Sequence, residues 1–162
     1  MVTASSLGHH PETEREVVLL TLDSVNVAYA PPFIEGHQFT CFCAMDASGL
    51  SDAGLRAFCS RLLRLGCAYL CAWGPDCERV HDAMDREVLG ENPPETYLGC
   101  VMTTWHAEDS LEDGLEFFLT CAYPDEKYSP HGCDSALIVS VGSNTWPTAI
   151  TQYVTARTIP VA

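Results

Sequence analysis

Basic residues are scarce in this chain. Its 162 residues include one lysine, Lys127, and seven arginines against 22 acidic side chains, a formal charge of −14. A surface of that sign repels phosphate backbones and leaves no basic stripe, which excludes nucleic acid and anionic membranes as natural partners and favours a protein with a basic surface. Long apolar runs are missing too. Nothing approaches the ~18 residues of a membrane helix, and residues 1–16 are polar where an export signal needs an apolar stretch. The expected setting is a reducing cytoplasm, where nine cysteines persist as free thiols and serve mainly as small core hydrophobes.

The familiar catalytic and cofactor motifs are absent as well. The chain has neither the glycine pattern of a dinucleotide fold, nor the lysine-containing phosphate loop, nor a serine nucleophile elbow. Cys41-x-Cys43, Cys67-x₃-Cys71 and Cys71-x₅-Cys77 give no C-x-x-C knuckle, so neither a metal nor any other cofactor is expected. What remains is an ordinary globular composition. With 47% apolar and 19% charged residues, the chain can bury a core without staples.

Hydrophobic periodicity divides the chain into a flexible leader, 1–15, and a single α/β domain, 16–162. Val17–Leu22 and Gln38–Met45 read as strands, with loop between them and a short extended piece at Val25–Tyr29. Ser51 caps a helix with Leu55, Phe58, Cys59, Leu62 and Leu63 inward, and Gly66 stands at its end. Cys67–Trp73 is the next strand, and Gly74–Pro75–Asp76 opens a helix ending at Gly90. After the Pro93–Pro94 break come a strand at Tyr97–Thr104 and a helix capped by Ser110. A polar loop from Tyr123 to Gly132 leads to a strand at Ser135–Val141. Residues 148–158 read as an edge strand or extended tail, with a short helix as the alternative. Three successive strand–helix–strand units imply a three-layer αβα sandwich. Its sheet has five or six mostly parallel strands and room for an antiparallel edge strand, in a Rossmann- or flavodoxin-like architecture.

In such a sheet, ligands bind at the carboxyl ends of the parallel strands. The residues expected there are Asp46, Trp73, Gly74, Asp76, Trp105, His106, Ser143, Asn144 and Trp146, with Asp23 joining them if its strand is also parallel. Cys77, in the first turn of a helix, and His81, four residues on, have the spacing of a nucleophile and its base. Asp76 and Glu78 disfavour a thiolate, however, and a cysteine-rich chain often places a thiol near a histidine. Among the cysteines, Cys77 is the main exception to a core role. His106 is the third catalytic candidate, with Glu108 and Asp109 as the carboxylates that orient it; the simpler reading is a loop histidine. Asp46 and Asp23 equally suit the capping of a turn. Trp73, Trp105 and Trp146 each end or follow a strand, so they line one aromatic pocket or interface, or else cover the end of the core.

The run WGPDCERVHDAMD, a strand ending TTWH and the helix SLEDGLEFFL resemble an uncharacterised family of small bacterial α/β proteins, a domain of unknown function, over about residues 67–146. The resemblance implies a bacterial cytosolic setting and assigns no catalytic residues. Acidity without catalytic motifs points first to a non-catalytic interaction domain, such as an immunity-type inhibitor or an accessory subunit of a bacterial conflict system. The alternative is a small-ligand binder or enzyme working at the strand ends.

Overall fold

Four strands of this protein are apolar on both faces, and helices cover both faces of the sheet they form. A computed structural model describes residues 1–26, 37–90, 98–131 and 133–162. Its elements are β1 (Val2–His9), β2 (Glu16–Leu22), β3 (Phe39–Ala44), α1 (Asp52–Leu65), β4 (Cys67–Trp73), α2 (Cys77–Val88), β5 (Met102–Trp105), α3 (Leu111–Cys121), β6 (Ser135–Val141) and α4 (Trp146–Thr155). They build a six-stranded sheet in the order β1-β2-β6-β3-β4-β5. All neighbours run parallel except β1 and β2. The expected α/β sandwich is therefore present, and β2 is parallel to β6.

Strand alternation sorts the core into two halves. Val18, Leu20, Cys41, Cys43, Leu70, Leu137 and Val139 pack with Leu55, Phe58 and Leu62 of α1 and Val80 and Met84 of α2. Val17, Leu19, Phe42, Cys71 and Ile138 pack with Leu115 and Phe118 of α3 and Ile150 and Val154 of α4. Two-sided burial is why these strands read as continuous apolar runs. Capping fixes the helix ends: Ser51 Oγ accepts from Gly54 N–H at 3.0 Å, and Ser110 Oγ accepts from Asp113 N–H at 3.1 Å. Gly66, at φ 110°, closes α1, and a Cβ there would meet the His37 carbonyl.

Three expectations need correction. Residues 1–15 are not a flexible leader, because β1 pairs with β2 from Val2↔Leu22 to His9↔Glu16. The stretch VTASSLGH lacks apolar alternation because most of its side chains face outward. What holds it is backbone pairing, which includes reciprocal 2.8 Å bonds between His9 and Ile159. Residues 148–158 are mainly helix α4 and not an edge strand; the antiparallel edge is β1. The threonines that suggested a strand bond back to helical carbonyls, Thr151 to Pro147 at 2.8 Å and Thr155 to Thr151 at 2.7 Å. The strand expected at Tyr97–Thr104 begins only at Met102. Just before it, Cys100 N–H donates to Asp125 at 3.3 Å and the Gly99 carbonyl accepts from the buried Tyr128 hydroxyl at 3.1 Å. These groups are tied to the 123–131 loop, which carries a 3-10 helix at Glu126–His131.

Most of the expected extended piece at 25–29, the Pro31–Pro32 loop, the Pro93–Pro94 break and Tyr97 lie outside the described residues. Among the described residues, no helix is long and apolar enough to cross a membrane.

Candidate functional site

Because α2 covers one face of the sheet and α3 the other, the chain leaves β4 and β5 in opposite directions, and a cleft opens between the two exits. Its volume is about 420 Å³. Trp73, Gly74, Pro75 and Asp76 line it from the end of β4, His106, Ala107 and Asp109 from the end of β5, and Trp146 from the start of α4.

The β4 exit is held tightly. Met45 N–H donates to the Trp73 carbonyl at 3.1 Å and Ala47 N–H to the Pro75 carbonyl at 2.9 Å. Gly74 sits at φ 114°, and a Cβ on it would lie 2.2 Å from the Met45 carbonyl oxygen, so only glycine fits. Asp76 also has positive φ, 56°, and occupies the N-cap of α2 without a side-chain capping bond. Its carboxylate is left for the cleft. The indole N–H of Trp73 donates to the Asp109 carbonyl at 3.0 Å, and Trp73 meets Trp146 edge-on.

His106 is buried beside this wall, with 9% exposure. Its Nδ1 lies 2.8 Å from Asp109 Oδ2 and its Nε2 lies 3.0 Å from Thr104 Oγ1, while Phe117 packs on the ring at 4.8 Å. Of the two carboxylates expected to orient His106, Asp109 does so and Glu108 is exposed. Thr104 was legible only through strand alternation, which puts positions 104 and 106 on one face.

The other candidates are dispersed. Trp105 points to the opposite face and packs against His81, with centroids 4.5 Å apart and the rings tilted by 59°, so the three tryptophans do not share one wall. Both ring nitrogens of His81 face carboxylates, Asp82 at 3.1 Å and Asp85 at 3.5 Å, and not the Cys77 sulfur. Cys77 is itself buried, with 1% exposure. Burial pushes its thiol pKa up, and nearby backbone N–H groups, that of His106 first, oppose the shift only in part. Cys77 is therefore no exception to the core role of the thiols; the solvent-facing ones are Cys100 and Cys121.

Asp46 and Asp23 occur together in a neighbouring crevice of about 350 Å³ with Ser48 and Gly142. Asp46 accepts from Ser48 N–H at 2.9 Å and from its hydroxyl at 2.5 Å, and these bonds hold its carboxyl below the ordinary range. This is the turn-capping role. Ser143 likewise caps α4, its Oγ accepting from the N–H groups of Thr145 and Trp146 at 3.2 and 3.1 Å, and Asn144 is exposed beside it. Among the described residues, no three His, Cys, Asp or Glu side chains gather as a metal-binding group.

Sequence comparison adds the family. The curated proteins contain no match to the chain. A family model, described as a domain of unknown function (DUF7684), matches residues 18–157, from within β2 to just past α4. The chain thus belongs to the DUF7684 family, whose domain takes in the parallel strands, helices α1 to α4 and the tryptophan-walled cleft.

Proposed function

We propose that this is a non-catalytic interaction domain that docks a basic protein through the strand-end cleft and its acidic surroundings. An immunity-type inhibitor or an accessory subunit of a bacterial conflict system would fit, working in a reducing cytoplasm where its thiols stay free. One observation carries the reading: the cleft combines two tryptophans with the carboxylates of Asp76 and Asp109, and its lining holds neither lysine nor arginine, its one imidazole, His106, being engaged by Asp109. Exposed Glu108, Glu112 and Asp113 extend the same sign along the approach to α3 and its first turn. Tryptophan anchors within a polar rim are typical of protein interfaces, and a charge of −14 accelerates encounter with an oppositely charged partner.

The buried Cys77 thiol and the doubly engaged His81 weaken the covalent-catalysis alternative. A second reading retains one specific support. Thr104, His106 and Asp109 form a hydroxyl–imidazole–carboxylate chain beside the cleft, an arrangement suited to moving a proton in a small-ligand enzyme.

The deciding experiment is a pull-down from native extract at low and high salt, repeated with Glu108→Gln, Glu112→Gln and Asp113→Asn combined. The interaction reading expects one basic partner whose binding weakens with salt and with the triple substitution. Salt-insensitive recovery, or no specific partner, overturns it.

A further inference from the structure

The cleft has a chemistry more specific than acidity. Its two indoles, both half-buried, meet edge-on with centroids 5.3 Å apart and planes at 77°. Beside them stand two carboxylates with unused hydrogen-bonding capacity. Asp76 has neither a capping bond nor an ion pair among the described residues, and Asp109 commits only Oδ2 to His106. The arginine that follows on α2, Arg79, turns away from the cleft and bonds the Ala47 and Leu50 carbonyls and Asp52.

The N-terminus of α2 does not make this an anion site. Cys77 N–H already donates to the Gly74 carbonyl at 3.1 Å and Arg79 N–H to the Asp76 carbonyl at 3.0 Å. Glu78 in the first turn answers the helix dipole. Any ligand carboxylate or phosphate would also face Asp76 and Asp109 directly.

A cation is therefore the group that this cleft suits, and its shape selects among cations. A guanidinium is planar, stacks on an indole and offers paired N–H donors to carboxylate oxygens, whereas an ammonium is a compact, strongly hydrated point charge. We infer that the Trp73–Trp146 cleft is a receptor for a guanidinium group, presented as an arginine side chain by the basic partner. This rests on the interaction reading above. The exposed acids on the approach to α3 supply the wider field that a free small ion would not need.

The test follows the three indole N–H signals by two-dimensional NMR while N-acetyl-arginine amide is titrated into the full chain. N-acetyl-citrulline amide, the neutral isostere, and N-acetyl-lysine amide serve as comparisons. The expected result is saturable movement of the Trp73 and Trp146 signals with arginine, weaker movement with lysine and none with citrulline. Trp105, on the opposite face, is the internal control and stays still. Asp76→Asn should weaken arginine binding about tenfold, the order of one charge-assisted hydrogen bond. Asparagine tolerates the left-handed backbone of position 76, so this variant keeps the fold. Equal response to citrulline, common movement of all three indoles, or unchanged affinity in Asp76→Asn overturns the proposal. If arginine leaves the indoles unmoved while a basic partner still binds with salt sensitivity, the guanidinium assignment fails and the interaction reading survives. If arginine binds as expected but no basic partner is recovered, the guanidinium site stands and the interaction reading fails.

Discussion

Trp73 and Trp146 stand edge to face across the strand-end cleft, 5.3 Å between ring centroids, although one ends β4 and the other begins α4. Such a pair contributes about 0.5–1.5 kcal/mol beyond the area it buries. Its position has a second effect, because it ties the end of β4 to the start of α4 on the sheet face that α3 and α4 cover, where both tryptophans remain partly accessible. The predictions that follow concern the supports of this edge and the core behind it.

Gly74→Ala should destabilise the protein by about 3 kcal/mol or more, since strained backbone of this kind costs roughly 1–3 kcal/mol before any clash is counted. The added Cβ would lie 2.2 Å from the Met45 carbonyl oxygen, a backbone atom that cannot step aside. The midpoint of urea unfolding reads the effect. An unchanged midpoint would mean that the β4 exit is looser than its hydrogen bonds to Met45 and Ala47 imply.

Thiol reactivity should follow exposure and not helix position. With iodoacetamide near neutral pH, peptide mass spectrometry should find Cys100 and Cys121 modified first and Cys77 well behind them, because burial raises the Cys77 pKa and shields the sulfur. Rapid, selective labelling of Cys77 would restore the nucleophile reading.

Stability should fall on the alkaline side. A thiol whose pKa is raised by folding holds its proton more tightly in the native chain than in the unfolded one, so its contribution is complete below the unfolded value and is lost as pH rises. Desolvation raises Cys133 from 9.0 to about 11 and Cys71 from 9.0 to about 12. Thermal melts followed by circular dichroism should therefore hold level to about pH 9 and decline above it, and Cys71→Ala should make the decline shallower. A flat profile through that range would contradict the buried-thiol core.

Deleting residues 2–9 should be costly, contrary to what a leader would allow. The deletion removes the antiparallel partner of β2 and leaves a buried apolar strand at the sheet edge. A loss of at least about 2 kcal/mol is expected at ~0.5–1.5 kcal/mol per ladder hydrogen bond, together with a tendency to aggregate. Light scattering and unfolding midpoints measure both. A truncated chain that is as stable and as monodisperse as the intact one would show that β1 contributes little.

The sequence by itself determined whatever depends on local pattern. Two-sided apolar runs marked β2, β3, β4 and β6, capping serines at 51 and 110 marked helix starts, and the alternation of strand and helix was enough for the layered architecture. Topology placed Trp73, Gly74, Asp76, His106 and Trp146 together, though not the other strand-end candidates, and His106 with Asp109 followed from proximity along the chain. The structure decided what depends on partners distant in sequence. β1 exists because β2 supplies backbone hydrogen bonds, which side-chain periodicity does not record. α4 is a helix because Ile150 and Val154 find a core one turn apart, overriding β-branched propensity. Three tryptophans equivalent in sequence were split, two onto the cleft and Trp105 onto His81, because strand parity and the helix-covered faces set where each indole points. Burial of Cys77 belongs here too, since its desolvation comes from the body of the fold and outweighs the backbone N–H groups, including that of His106, that favour a thiolate.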